Sequence, residues 1–160
     1  MPKDLQLSKP TVLLGVPRVY CKIYQVVMSK LNSAGKVTKL LFWSAFYTKK
    51  FFMSKMPHLF KSGKFFLTDW VFNSITNAFG GKVEYFVTGS SSLPLEVLEF
   101  MEVCSGGALT RGYGLTEASA TGLFCYSGQG ALSIKRDQNL LGFVCYDTEA
   151  KIIDRSDASS

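Results

Sequence analysis

Residues 82–111 restrict the fold of this chain more than any other stretch. KVEYFVT (82–88) alternates side chains in the manner of a half-buried strand. GSSS (89–92) is a loop, and PLEVLEFMEVC (94–104) predicts a helix. Pro94 suits the start of that helix, where a backbone N–H would have no partner in any case. Glu96 and Glu99 favour the same, positive end. Gly106 and Gly107 stop the helix, and ALTR (108–111) reads as a second strand. Two strands joined by a helical crossover lie parallel, so the chain is expected to be α/β with a parallel-sheet βαβ unit.

The flanking sequence fits the same class. PTVLLGV (10–16) is short, apolar and β-branched, and reads as a buried strand ended by Pro17. Residues 19–31 predict a helix with Val19, Ile23, Val26, Val27 and Leu31 near one face. NSAGK (32–36) breaks it. Residues 37–53 predict a second helix whose apolar side chains (Val37, Leu40, Leu41, Phe42, Trp43, Phe46, Phe51, Phe52) cover more than one face. Lys36, Lys39, Lys49 and Lys50 sit toward its ends. Such a helix either packs in a domain groove or rests at a membrane interface, and the sequence leaves both open. SGK (62–64) breaks the chain again, and 67–79 predict a third helix with Asp69 in its first turn and Gly80-Gly81 as its stop. Residues 123–126, 140–146 and 149–153 are candidate strands, and 155–160 form a polar tail. There is no internal repeat. One partial domain over 1–154 is expected.

Hydrophobic residues make up 47% of the chain and charged residues 19%, a globular composition that excludes an intrinsically disordered chain. Charge is unevenly spread. Residues 1–64 carry 12 lysines and arginines against one acid, Asp4, while residues 65–160 carry 6 against 11 acids. The basic part suits an anionic partner such as lipid head groups, a phosphorylated cofactor or nucleic acid, or is simply a solvated face. The four cysteines (Cys21, Cys104, Cys125, Cys145) form no Cys-x-x-Cys pair and His58 is the one histidine, so zinc chemistry is not expected. Scattered cysteines in so apolar a chain read as buried, reduced thiols of an intracellular protein. The polar first residues do not look like a signal peptide, and no uncharged run reaches the ~18–20 residues of a spanning helix.

Several catalytic motifs are missing. There is no Gly-x-x-x-x-Gly-Lys-[Ser/Thr] phosphate loop. Gly112-Tyr113-Gly114 opens like a dinucleotide fingerprint, but Glu117 stands where the third glycine belongs. Leu93 replaces the last glycine of a nucleophile elbow, and one histidine argues against a Ser/His/Asp triad. Two loops remain, VTGSSSLP (87–94) and GYGLTE (112–117), each at the carboxyl end of a predicted parallel strand. Open α/β sheets bind ligands along that edge. In the first loop Gly89 permits close approach to a ligand, while Ser90 to Ser92 offer hydroxyls and N–H donors. The second sets a ring, a bare backbone position, a hydroxyl and a carboxylate within six residues. Tyr can stack on a base, Thr can donate to a phosphate oxygen, and Glu suits the hard cation Mg²⁺. From spacing alone, the same residues also fit a tight turn with a buried Tyr and a solvated Glu.

GYGLTE (112–117) resembles the adenine and magnesium motif of the adenylate-forming, AMP-binding superfamily, which includes acyl-CoA synthetases, luciferases and peptide-synthetase adenylation domains. VTGSSSL (87–93) resembles its second adenine-pocket segment. KPTVLLGVPRVY (9–20) and FNSITNAFGGKVEYF (72–86) are similar to the long-chain acyl-CoA synthetase branch, and GVPRVY (15–20) sets the chain apart from short-chain acyl and aryl ligases. The resemblance runs from about residue 10 to residue 154 and implies part of the large N-terminal domain of such an enzyme. It implies that Tyr113 stacks on adenine, that Thr116 contacts the phosphate, and that Glu117 holds Mg²⁺. It also implies that Gly89, Ser90, Ser91, Gly112 and Gly114 wall the nucleotide and acyl pocket. ATP, CoA and a long-chain fatty acid are the implied substrates; nucleic acid is not. The implied location is cytosolic or peripheral on endoplasmic reticulum, peroxisome or mitochondrion.

The family's Ser/Thr/Gly-rich phosphate loop, ribose-binding Asp motif and catalytic Lys domain are absent from these residues. Ser92 and Pro94 depart from the Ala-Pro-Leu-Ser-Pro arrangement, and after Gly142-Phe143-Val144 the chain is short of a Gly-x-Pro turn. An internal piece with negligible ligase activity of its own is therefore expected.

Overall fold

Alternation in the strands and glycine stops after the helices set the architecture. In the computed structural model, residues 2–55, 66–89, 91–118, 122–124, 143–146 and 148–152 are described. The element order is α1 (Pro2–Ser8), β1 (Val12–Gly15), α2 (Pro17–Ser33), α3 (Lys36–Lys55), α4 (Phe66–Ala78), β2 (Tyr85–Thr88), α5 (Leu95–Ser105), β3 (Ala108–Tyr113), a 3₁₀ turn at Thr116–Ala118, β4 (Leu123–Phe124) and β5 (Phe143–Val144). Strand order follows chain order. β1, β2 and β3 are parallel, with Gly15, Thr88 and Arg111 level at one end. β4 is antiparallel to β3 and β5 is antiparallel to β4. The βαβ unit read from residues 82–111 is present as β2–α5–β3.

Helices cover one face of the parallel strands. Phe86 of β2 and Leu109 of β3 are buried there, and Phe86 meets the edges of Tyr20 and Phe79 at centroid distances of 6.1 and 5.4 Å. A second aromatic cluster joins the helices to one another: Phe42 of α3 lies 5.5 Å from Phe72 of α4 and 6.4 Å from Phe100 of α5. Rings at these separations contribute beyond their buried area. α4 ends as its sequence predicts. Gly80 takes φ +89°, and a Cβ there would lie 2.5 Å from Leu5 O, so only glycine lets the chain turn under α1.

Three expectations need correction. β1 is not a buried strand: Leu13 packs on the core, but Leu14 is 76% exposed and Val12 is also exposed. A β-branched run shows strand propensity but does not say that both faces are covered. β3 runs two residues further than residues 108–111, because pairing of Gly112 with Phe124 and Tyr113 with Leu123 extends it. Residues 149–152 are not a strand. Of the other candidates, 123–126 contains β4 and 140–146 contains β5. His58, Cys125, the break at 62–64 and the tail 155–160 lie outside the described residues. No described helix is long and apolar enough to cross a membrane.

Candidate functional site

The site begins with what holds the strand ends level. Val16 and Pro17 turn the chain from β1 into α2, with Pro17 placed where its missing N–H costs nothing. One turn later Tyr20 is buried beneath the sheet. Its hydroxyl lies 3.1 Å from Leu13 O in β1 and 3.1 Å from Val87 O in β2, and donates to these carbonyls. The ring passes under Gly15, where a Cβ would come within 3.0 Å of it. Gly15, Pro17 and Tyr20 of the GVPRVY segment thus form one latch across two strands. Burial pushes the Tyr20 phenol up to about 12.

The register then brings the two candidate loops together. β2 ends at Thr88 and β3 passes Arg111 beside it, so Gly89 and Gly112 follow side by side. A Cβ on Gly89 would lie 3.4 Å from Gly112 O. The start of the serine loop therefore runs beside the start of the Gly-Tyr-Gly segment. Below them Thr88 is buried, and its hydroxyl meets no hydrogen-bond partner among the described residues. Ser91 and Ser92 are exposed, and Ser90 lies outside the described residues.

Tyr113 has its main chain fixed and its ring free. Gly122 N donates to Tyr113 O at 3.0 Å, while the residue is 45% exposed. A tight turn around a buried Tyr is thereby excluded. Gly114 and Leu115 lead into the 3₁₀ turn, which carries Thr116 and Glu117, both exposed. Among the described residues no three His, Cys, Asp or Glu side chains form a metal cluster. A single exposed carboxylate fits Mg²⁺, which keeps several waters and takes its other ligands from substrate phosphates; it would not fit a cation needing an all-protein cage.

Three positioning contacts were not legible in the sequence. Leu109 N, on β3 short of the segment paired with β4, donates to Oε1 of buried Glu102 on α5 at 3.3 Å. This fixes the start of the strand that carries Gly112 and Tyr113. Lys49 is fully buried and donates to Asp69 at 2.6 Å, joining α3 to α4, and Lys50 donates to Glu99 at 2.6 Å, joining α3 to α5. Both lysines do lie toward the end of α3, as expected, but their ammonium groups turn to acids on α4 and α5. Their partners are 20 and 49 residues away, beyond the reach of helical spacing. Cys104, near Lys49, is a buried free thiol whose pKa is raised by desolvation, whereas Cys21 and Cys145 are only partly buried, so the expectation of buried thiols holds for Cys104 and not for those two.

A parallel sheet with two glycine segments side by side at its carboxyl edge defines an α/β protein of the kind that binds ligands at that edge. Comparison with known proteins names the kind. The model of the AMP-binding enzyme family matches residues 1–159. Long chain acyl-CoA synthetase 6, peroxisomal, of Arabidopsis thaliana is 38% identical over 119 residues, covering 72% of this chain and 16% of the relative. A palmitoyl-CoA ligase of Gibberella moniliformis is 38% identical over 120 residues, covering 74% of this chain and 17% of the relative. Long-chain-fatty-acid–CoA ligase 1 of Schizosaccharomyces pombe is 36% identical over 122 residues, covering 75% and 17%. No solved structure gives a significant match. The chain belongs to the AMP-binding enzyme family, and long-chain acyl-CoA synthetases are among its relatives. Matches to these relatives span less than a fifth of their length.

Proposed function

We propose that this chain is the adenine-binding segment of a long-chain fatty acid–CoA ligase. The whole reaction has two steps. A fatty carboxylate attacks the α-phosphate of ATP, giving acyl-AMP and releasing pyrophosphate; the thiol of CoA then takes the acyl group and AMP leaves. The first step needs no general base, because the nucleophile is already an anion. It needs charge neutralisation and in-line positioning.

In this reading the Tyr113 ring stacks on adenine, and Gly89, Ser90 and Ser91 with Gly112 and Gly114 form the wall against which the base lies. Thr116 donates to the phosphate. Glu117 would hold Mg²⁺, which when bound neutralises phosphate charge. The observation that carries the reading is the closeness of Gly89 to Gly112, such that a Cβ added to Gly89 would lie 3.4 Å from Gly112 O; this sets the ends of two neighbouring strands along one edge. The exposure of Tyr113, Thr116 and Glu117 supports it.

Residues 1–154 are read as part of the AMP-binding domain and 155–160 as a polar tail. Without the phosphate loop and the catalytic Lys the chain binds nucleotide weakly and is not a ligase by itself. A cytosolic or peripheral location, on peroxisome, endoplasmic reticulum or mitochondrion, belongs to the same proposal. The alternative is a non-catalytic module that meets an anionic membrane surface through residues 1–64, motivated by their excess of lysine and arginine.

Calorimetric titration of the chain with Mg-ATP tests the ligase reading. Base stacking on an aromatic ring is worth about 1–3 kcal/mol, so Tyr113→Ala weakens binding at least about fivefold, and Glu117→Gln removes the Mg²⁺ dependence. ATP–pyrophosphate exchange stays at background for the parent chain. Binding unchanged by Tyr113→Ala contradicts the reading, and exchange above background contradicts the expected inactivity.

A further inference from the structure

α3 faces two ways. Phe42, Ala45, Phe46, Lys49 and Met53 are buried against α4 and α5. On the opposite side, residues three and four apart line up as Val37, Leu40, Leu41, Ser44, Tyr47, Thr48 and Phe51. All seven are exposed, Leu40 to 72% and Phe51 to 58%. No charged residue interrupts this face between its two ends, because Lys49 and Lys50 turn inward to Asp69 and Glu99. Cations rim it: Lys36 and Lys39 at one end, Lys55 at the other. Trp43 lies stacked on Tyr47 along one flank, with ring centroids 5.8 Å apart.

We infer that α3 is an interfacial helix that lies flat on an anionic membrane, its outer face at the acyl boundary and its lysines on lipid phosphates. Charge selects this occupant. Residues 5–68 contain no Asp or Glu, so a second copy laid on the same face would set lysines against lysines without a compensating acid. An anionic lipid surface complements the rim. Apolar and aromatic side chains on one face with lysine at its margins are what an in-plane helix needs. Amphipathic rings such as Trp43 and Tyr47 suit the headgroup level. The inference deepens the membrane-surface alternative by naming the contact face, and it does not depend on nucleotide binding.

Flotation of the 160-residue chain with vesicles of phosphatidylcholine alone, or mixed with phosphatidylserine, tests it. The chain floats with the mixed vesicles only, the more weakly as salt is added, and its tryptophan emission shifts to the blue. Leu40→Glu with Phe51→Glu abolishes flotation, while circular dichroism and Mg-ATP titration stay as in the parent. Should that pair unfold the chain, Lys36→Gln with Lys55→Gln serves instead and weakens binding about fivefold per lysine. Equal binding to neutral vesicles, binding indifferent to both variants, or self-association through this face without vesicle binding overturns the inference. A chain that floats but binds no nucleotide sinks the ligase reading alone; one that binds nucleotide but never floats sinks this inference alone.

Discussion

The Tyr20 hydroxyl lies 3.1 Å from a carbonyl on each of two neighbouring strands. Deleting it by Tyr20→Phe keeps the ring contacts with Phe86 and Gly15 and removes only the polar latch, at a cost of about 1 kcal/mol. The pH dependence has a definite sign. The folded phenol is held up to about 12 against an ordinary value of 10.0, so above the ordinary value the unfolded chain gives up its proton first. Stability from this group is present below the ordinary tyrosine range and is lost as pH rises toward about 12. Urea unfolding across that interval shows a shallower alkaline loss for Tyr20→Phe than for the parent; parallel curves would contradict the account. Gly15 and Tyr20 were both visible in GVPRVY, but their contact was not, because sequence shows spacing along a helix and not which strand backbone a side chain meets.

At the scale of elements, α3 is joined to α4 and α5 by ion pairs as well as by rings. Lys49→Met strips the cation from beside Asp69. Breaking a fully buried pair costs about 3–5 kcal/mol; the Asp69 side chain keeps 30% exposure, so about 2 kcal/mol is expected. Lys49→Met with Asp69→Leu recovers most of that loss, since an apolar pair of similar volume is tolerated at such a site. Chemical denaturation of the single and double variants checks both values, and a double variant no better than the single contradicts them. Helix limits were legible because glycines, prolines and polar breaks lie at their ends: α2, α4 and α5 fall within a few residues of where spacing puts them. β3 ran past its expected end because its last two residues are held by β4, a pairing that depends on distant residues. The exposure of β1 was hidden for a related reason. Val12 and Leu14 are apolar whether or not anything covers them.

Across the whole molecule, charge divides the chain into a basic first part and an acidic second part. The basic half supplies α2 and α3, while the acidic half carries β2, α5, β3 and both candidate loops. Of the candidate site, Gly89, Gly114, Thr116 and Glu117 were legible as following strand ends, Gly112 and Tyr113 fall in β3 itself, and parallel register accounts for the closeness of Gly89 to Gly112. Thr88 was visible only as part of VTGSSSLP, because a buried hydroxyl with no partner among the described residues is a property of packing. The open side of β1 and the outer face of α3 are two distinct apolar surfaces.

The account stands most directly on the claim that both loops receive one nucleotide. Nitrogen-15 amide spectra of the chain, recorded while Mg-ATP is added, test it residue by residue. The account predicts that Gly89, Ser91, Gly112, Tyr113, Gly114, Thr116 and Glu117 shift together along one binding curve, with α3 unaffected. Shifts at only one of the two loops, shifts centred on the lysines of α2 and α3, or none at saturating nucleotide would contradict it.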